Sequence, residues 1–223
     1  MNFNRLAIVT FALLFLSFGL LIGSYLTYWT KVQVDNQLGP GVLTFYDSAT
    51  EEKIVVVDGP NGDQERKSTS WENIYQTLSG QPINRLHERS IFRASLAFAI
   101  IAWIVELPIL ILIGLSIFNV FKNKKFRVGL CIRLLLGAAI ALNIISVAIF
   151  SKIADYRNKD CVDAYDADNV RCTGPFYNHM IGSDDNTKVG LMPGYPCVIS
   201  STAFVIVSFI VSFFATFQIG NVQ

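Results

Sequence analysis

The stretch Val128–Phe150, VGLCIRLLLGAAIALNIISVAIF, decides the fold. It is at least as long as the roughly 20 residues that carry an α-helix across a hydrocarbon core about 30 Å thick, and Arg133 is its one charged side chain. Three more runs read the same way: Leu6 to Tyr28, Ala94 to Phe118 and Val198 to Phe217. With 52% hydrophobic residues and a mean hydropathy of +0.44, the chain holds more apolar surface than one ordinary water-soluble domain. The expected fold class is an all-α transmembrane four-helix bundle with a small extracellular antiparallel β-sheet. One four-span membrane domain then covers residues 1–223, with spans at about 6–28, 94–118, 128–150 and 198–217.

Charge sets the expected orientation. The connection at about 119–127 carries Lys122, Lys124, Lys125 and Arg127 with no acid among them, and Arg5 precedes the first run, so both are expected in the cytoplasm. The longer connections at about 29–93 and 151–197 mix acids and bases and are expected outside it. Both termini then face the cytoplasm, in the plasma membrane or an endomembrane. The first run is long for a signal-peptide core and lacks an A-x-A-like site before Trp29, so a retained anchor is favoured over a cleaved one. A net charge of +1 gives no reason to expect nucleic acid as a partner.

Cys161 and Cys172 are candidates for a disulfide in the second outer segment, with Cys197 the alternative partner of either. In the first outer segment, Gly41–Tyr46 and Lys53–Val57 read as a hairpin, and Lys31–Val34 alternates as a further strand. Ser70–Tyr75 reads as a strand or a short helix. A strand is expected around Gly174–Tyr177, and the Gly-, Pro-, Asp- and Asn-rich piece from Gly182 to Pro196 reads as an irregular connection.

Glu106 is the most chemically pointed residue, because a carboxylate in the middle of an apolar span is costly and must face protein. Counting from the helix ends puts Asn143 at a similar depth, so the two are expected to hydrogen-bond across neighbouring helices. Pro108, two residues on, is expected to bend the helix. Gly19 and Gly23, with Gly137 and Ala141, form small-residue pairs that suit close helix packing or self-association, and Ser208, Ser212 and Thr216 suit it in the fourth run. There is no phosphate loop, no His-Glu-x-x-His and no Gly-x-Ser-x-Gly, which argues against an enzyme and against a cofactor. His87 and His179 lack metal-ligand spacing and read as surface residues.

Trp29 just beyond the first run, Phe92-Arg93-Ala94-Ser95-Leu96 at the start of the second, a β-prone first outer segment and a short basic inner loop together resemble the claudin, peripheral myelin protein and calcium-channel gamma subunit superfamily. The resemblance implies the four-span architecture with its outer sheet. It does not extend to the Gly-Leu-Trp and cysteine pair of the first outer segment, which this chain lacks, nor does Asn221-Val222-Gln223 match a PDZ ligand. The function expected is therefore a scaffold, adhesion component or accessory subunit that meets other membrane proteins, or itself, through Phe45, Tyr46, Trp71 and Tyr75. The alternative is a channel or a proton- or cation-coupled transporter built on Glu106 and Asn143.

Overall fold

The computed structural model describes residues 5–35, 42–48, 52–57, 64–68, 86–118, 120, 128–165, 172, 175–184, 187–215 and 217. In chain order these form α1 (Arg5–Leu26), β1 (Thr30–Asp35), β2 (Val42–Asp47), β3 (Glu52–Val57), β4 (Gln64–Ser68), α2 (Leu86–Ile117), α3 (Val128–Phe150), α4 (Ile153–Tyr165), α5 (Pro175–Asn178), β5 (Gly182–Ser183), β6 (Thr187–Leu191) and α6 (Gly194–Phe214). Four helices are long and apolar enough to cross a membrane: α1, α2, α6 and the one that begins with α3. The chain divides into two compact units.

The first unit holds α1 up to Gly23, α2 from Ala97, α3 up to Val147 and α6 from Cys197. Its core is Leu14, Ile109, Ile113, Ile132, Leu136, Ala139 and Val205. Buried positions recur with a spacing of three and four along every long helix. On α1 they are Ala7, Thr10, Leu14, Ser17, Leu21 and Ser24, and on α3 Ile132, Leu136, Ala139, Asn143, Ser146 and Phe150. That is the 3.5-residue period of a knobs-into-holes seam. The opposite faces are just as apolar yet exposed, with Phe15, Ile104, Leu134 and Phe213 all more than half accessible. Water would not leave those faces bare in a monomer, whereas hydrocarbon would.

Gly19, Gly137 and Ala141 fall off these seams. A methyl group placed on Gly19 or Gly137 would meet nothing within 4 Å, one on Gly23 would meet only the Cys197 sulfur at 3.9 Å, and Ala141 is exposed. The small residues buried on α1 are Ala7, Thr10, Ser17 and Ser24, the last three each seven residues from the next. Ser208 and Ser212 are buried as expected, and Thr216 lies outside the described residues. α2 runs on through Pro108 without interruption.

The second unit comprises Ser24–Leu96 and Ala148–Pro196. Its six strands form one antiparallel sheet in the order β4-β3-β2-β1-β6-β5. The expected hairpin is β2–β3, and the expected extra strand is β1. β6 corrects the expectation of an irregular connection: Thr187–Leu191 pairs with Thr30–Val34, so both long connections build the same sheet. Its local composition hid this because the strand exists by virtue of a partner far away in sequence. The strand expected around Gly174–Tyr177 is likewise corrected, since Pro175–Asn178 is one turn of helix, with Pro at a position that suits a helix start.

Val32, Phe45 and Val189 share a row on one face of the sheet and pack together with Val34. An aromatic cluster anchors the strands to the helix ends of this unit. Trp29 is 1% exposed; its ring lies 4.9 Å from Phe150 and 6.3 Å from Phe92, and its Nε1–H donates to the Ser24 carbonyl at 2.7 Å. Tyr195 closes the cluster against Phe150 at 4.6 Å. Gly194 starts α6 here because the Trp29 indole and the Tyr28 carbonyl occupy the space of a Cβ.

Two helices start earlier than their hydropathy suggested. α2 begins at Leu86 because the Asp160 carboxylate accepts the His87 and Glu88 N–H groups at 3.0 and 2.8 Å, capping it from another helix. α6 begins at Gly194, with its N–H donating to the Tyr28 carbonyl at 2.9 Å.

Candidate functional site

In the helical unit, one polar side chain from each of α1, α2, α3 and α6 converges within an apolar core: Ser17, Glu106, Asn143 and Ser201, all completely buried. The Ser17 hydroxyl donates to Glu106 Oε1 at 3.0 Å and lies 2.8 Å from the Ser201 hydroxyl. With Ser201 as donor to Ser17, the two hydroxyls form a chain that ends on the carboxyl. Asn143 is close enough to act on the same carboxyl. Neither of its amide atoms makes a hydrogen bond of standard geometry, and Glu106 Oε2 has none either. The hydrogen bond expected between Glu106 and Asn143 is not formed; the carboxyl is held by the one from Ser17.

Ser17 and Ser201 escaped the sequence reading. Both stand on the buried 3–4 seams of their helices, and that spacing was the available signal.

In the sheet unit, the buried charges form a second constellation. Arg157 Nε donates to Glu88 Oε1 at 2.6 Å, while Arg157 Nη2 donates to Thr30 Oγ1 at 3.0 Å and lies 3.6 Å from Asp47 Oδ2. Thr30 Oγ1 donates in turn to Asp47 Oδ2 at 3.1 Å. This network joins α4, α2, β1 and β2, and no local pattern announced it. Cys161 and Cys172 form the expected disulfide, at a sequence separation of 11, with Cys131 and Cys197 free. Asn158 and Asn178 both donate to the Cys172 carbonyl, tying α4 to α5.

The expected contact residues part company. Phe45 is 4% exposed and belongs to the packed face with Val32 and Val189. Tyr46 points to the opposite face, half-buried, with the Lys31 and Lys53 ammonium groups 5.8 and 5.9 Å from its ring and Tyr28 beside it. Trp71 and Tyr75 lie outside the described residues, as do Lys122 to Arg127. His87 pairs with Asp163 at 3.2 Å, and His179 is exposed.

No model of a known protein family matches this sequence, and comparison with curated proteins finds no match.

Proposed function

We propose that this chain is an integral membrane protein that acts without catalysis, as a scaffold, adhesion component or accessory subunit, through the face of its sheet that carries Tyr46. Four helices with apolar outer faces supply the membrane anchor. The Cys161–Cys172 disulfide favours an oxidising compartment for the segment that carries it, and the run of basic residues between α2 and α3 favours the cytoplasm for that connection. The resemblance to the claudin and peripheral myelin protein superfamily supports reading these helices and the sheet as a four-span protein with an outer sheet.

The observation that carries the reading is the asymmetry of the sheet. One face is closed by Val32, Phe45 and Val189, while the other presents Tyr46 flanked by Lys31 and Lys53, with the exposed Lys188 further along it. An aromatic ring set among lysines suits a partner with an apolar contact and acidic surroundings. Crosslinking followed by affinity purification from native membranes tests it: Tyr46→Ala is expected to lose the captured partner while the protein remains inserted and folded. Capture equal to that of the natural sequence overturns the reading.

A further inference from the structure

The Ser17–Glu106–Asn143–Ser201 cluster carries one acidic group for which the described residues of its unit supply no paired cation. Among the described residues of the helical unit, Glu106 is the one acid, and the cations are Arg5 and Arg133. Arg5 opens α1, far along the helix from Ser17. Arg133 is engaged elsewhere: its guanidinium donates to the Ser212 carbonyl and stacks 4.9 Å from the Phe213 ring. The other ionisable groups described in this unit, Cys131 and Cys197, are thiols and supply no positive charge. A bare carboxylate sealed in an apolar bundle costs far more than its hydrogen bonds return, so it takes up a positive charge.

The surroundings of the carboxyl are built of oxygen. Glu106 offers two oxygens, Asn143 a carbonyl oxygen, and Ser17 and Ser201 a hydroxyl each, while Glu106 Oε2 and both Asn143 amide atoms lack a hydrogen bond of standard geometry. Hard cations are bound by such sets. One carboxylate balances one positive charge and no more, which selects a monovalent ion over a divalent one. We propose that this cluster is a binding site for one exchangeable monovalent cation, a proton or a sodium ion, held by Glu106 with Asn143, Ser17 and Ser201 as its oxygen partners. As a proton, it converts Oε2 into a donor for the Asn143 carbonyl. As sodium, it sits among the oxygens with the hydroxyl hydrogens turned away. The site is independent of the sheet face and its partners.

The test uses the full chain purified in lipid nanodiscs. Its unfolding midpoint is measured against pH, and against sodium chloride exchanged for choline chloride at constant ionic strength, alongside Glu106→Gln and Ser17→Ala. A sodium site raises the midpoint by a few degrees as sodium replaces choline; a proton site raises it as pH falls, with sodium inert. In either case Glu106→Gln removes the dependence and Ser17→Ala weakens it. Identical responses of the natural chain and Glu106→Gln to both titrations overturn the proposal. Should Glu106→Gln fail to fold, carbodiimide labelling of the natural chain decides, because the reagent attacks the protonated carboxyl. Labelling of Glu106 that rises with acidity or is suppressed by sodium supports the site, and labelling insensitive to both, or none, overturns it.

Discussion

Arg157 on α4 and Glu88 on α2 form an ion pair closed to solvent, Nε to Oε1 at 2.6 Å, and the same guanidinium reaches Thr30 and Asp47 in the sheet. Burial makes such a pair asymmetric in its consequences, for the intact pair gains little over apolar packing while half of it is expensive. Arg157→Met removes the guanidinium from two buried carboxylates, Glu88 and Asp47. It is expected to destabilise the fold by about 3–5 kcal/mol. The double variant Arg157→Met with Glu88→Gln recovers part of that loss, as a double-mutant cycle of unfolding in detergent would measure.

Asp160 caps α2 from outside the helix, and its carboxyl is pulled two ways. Burial raises its pKa above the ordinary 3.8, with the negative charge of Glu88 pushing in the same direction, while the N–H groups of Glu88 and His87 lower it. The net shift is upward, so between the two pKa values the folded state binds more protons than the unfolded one. Stability from this group is therefore complete below 3.8 and declines as pH rises from there through the folded-state pKa. Asp160→Asn keeps a capping oxygen and cannot titrate. It is expected to make unfolding free energy less dependent on pH across that window, read from denaturation curves at a series of pH values.

Gly194 tests the junction of β6 and α6. A Cβ there overlaps the Trp29 indole and the Tyr28 carbonyl, one a large ring held on three sides by aromatic neighbours and the other backbone. Neither moves cheaply. Gly194→Ala is expected to cost about 1–3 kcal/mol, and tryptophan fluorescence should report a displaced indole.

Removing the disulfide with Cys161→Ser and Cys172→Ser releases a loop of 11 residues. The expected loss is about 3 kcal/mol from the freedom returned to the unfolded chain. Denaturation curves of the natural and doubly substituted proteins under the same conditions measure it.

Much of this architecture could be read from composition and periodicity. The four long helices are visible because twenty apolar residues in a row have few other uses, and the β2–β3 hairpin because β-branched and aromatic residues cluster there. Glu106 and Asn143 were legible for the same reason, as polar side chains where polarity is costly. The misreadings share a cause. β6, the capped start of α2 and the Arg157–Glu88 pair all depend on partners at least 69 positions away, and no window of sequence contains both members. The glycine pairs are a different case: a small residue permits close approach without requiring it, and a Cβ on Gly19 or Gly137 would meet nothing within 4 Å in the same chain. On α1 the seam fell instead to Thr10, Ser17 and Ser24, which the seven-residue interval picks out and the Gly-x-x-x-Gly spacing does not.

The pairing of β1 with β6 also dictates an order of birth. β1, β2, β3 and β4 leave the ribosome within one stretch and can zip into a meander early, but the free edge of β1 must wait for Thr187–Leu191, which emerges only after three of the long helices have been made. Until then the nascent chain carries an open β-edge, a ready template for the wrong neighbour. A ribosome stalled before Leu191 would leave that edge unsatisfied, so the growing chain is most exposed to mispairing in the interval before β6 is made.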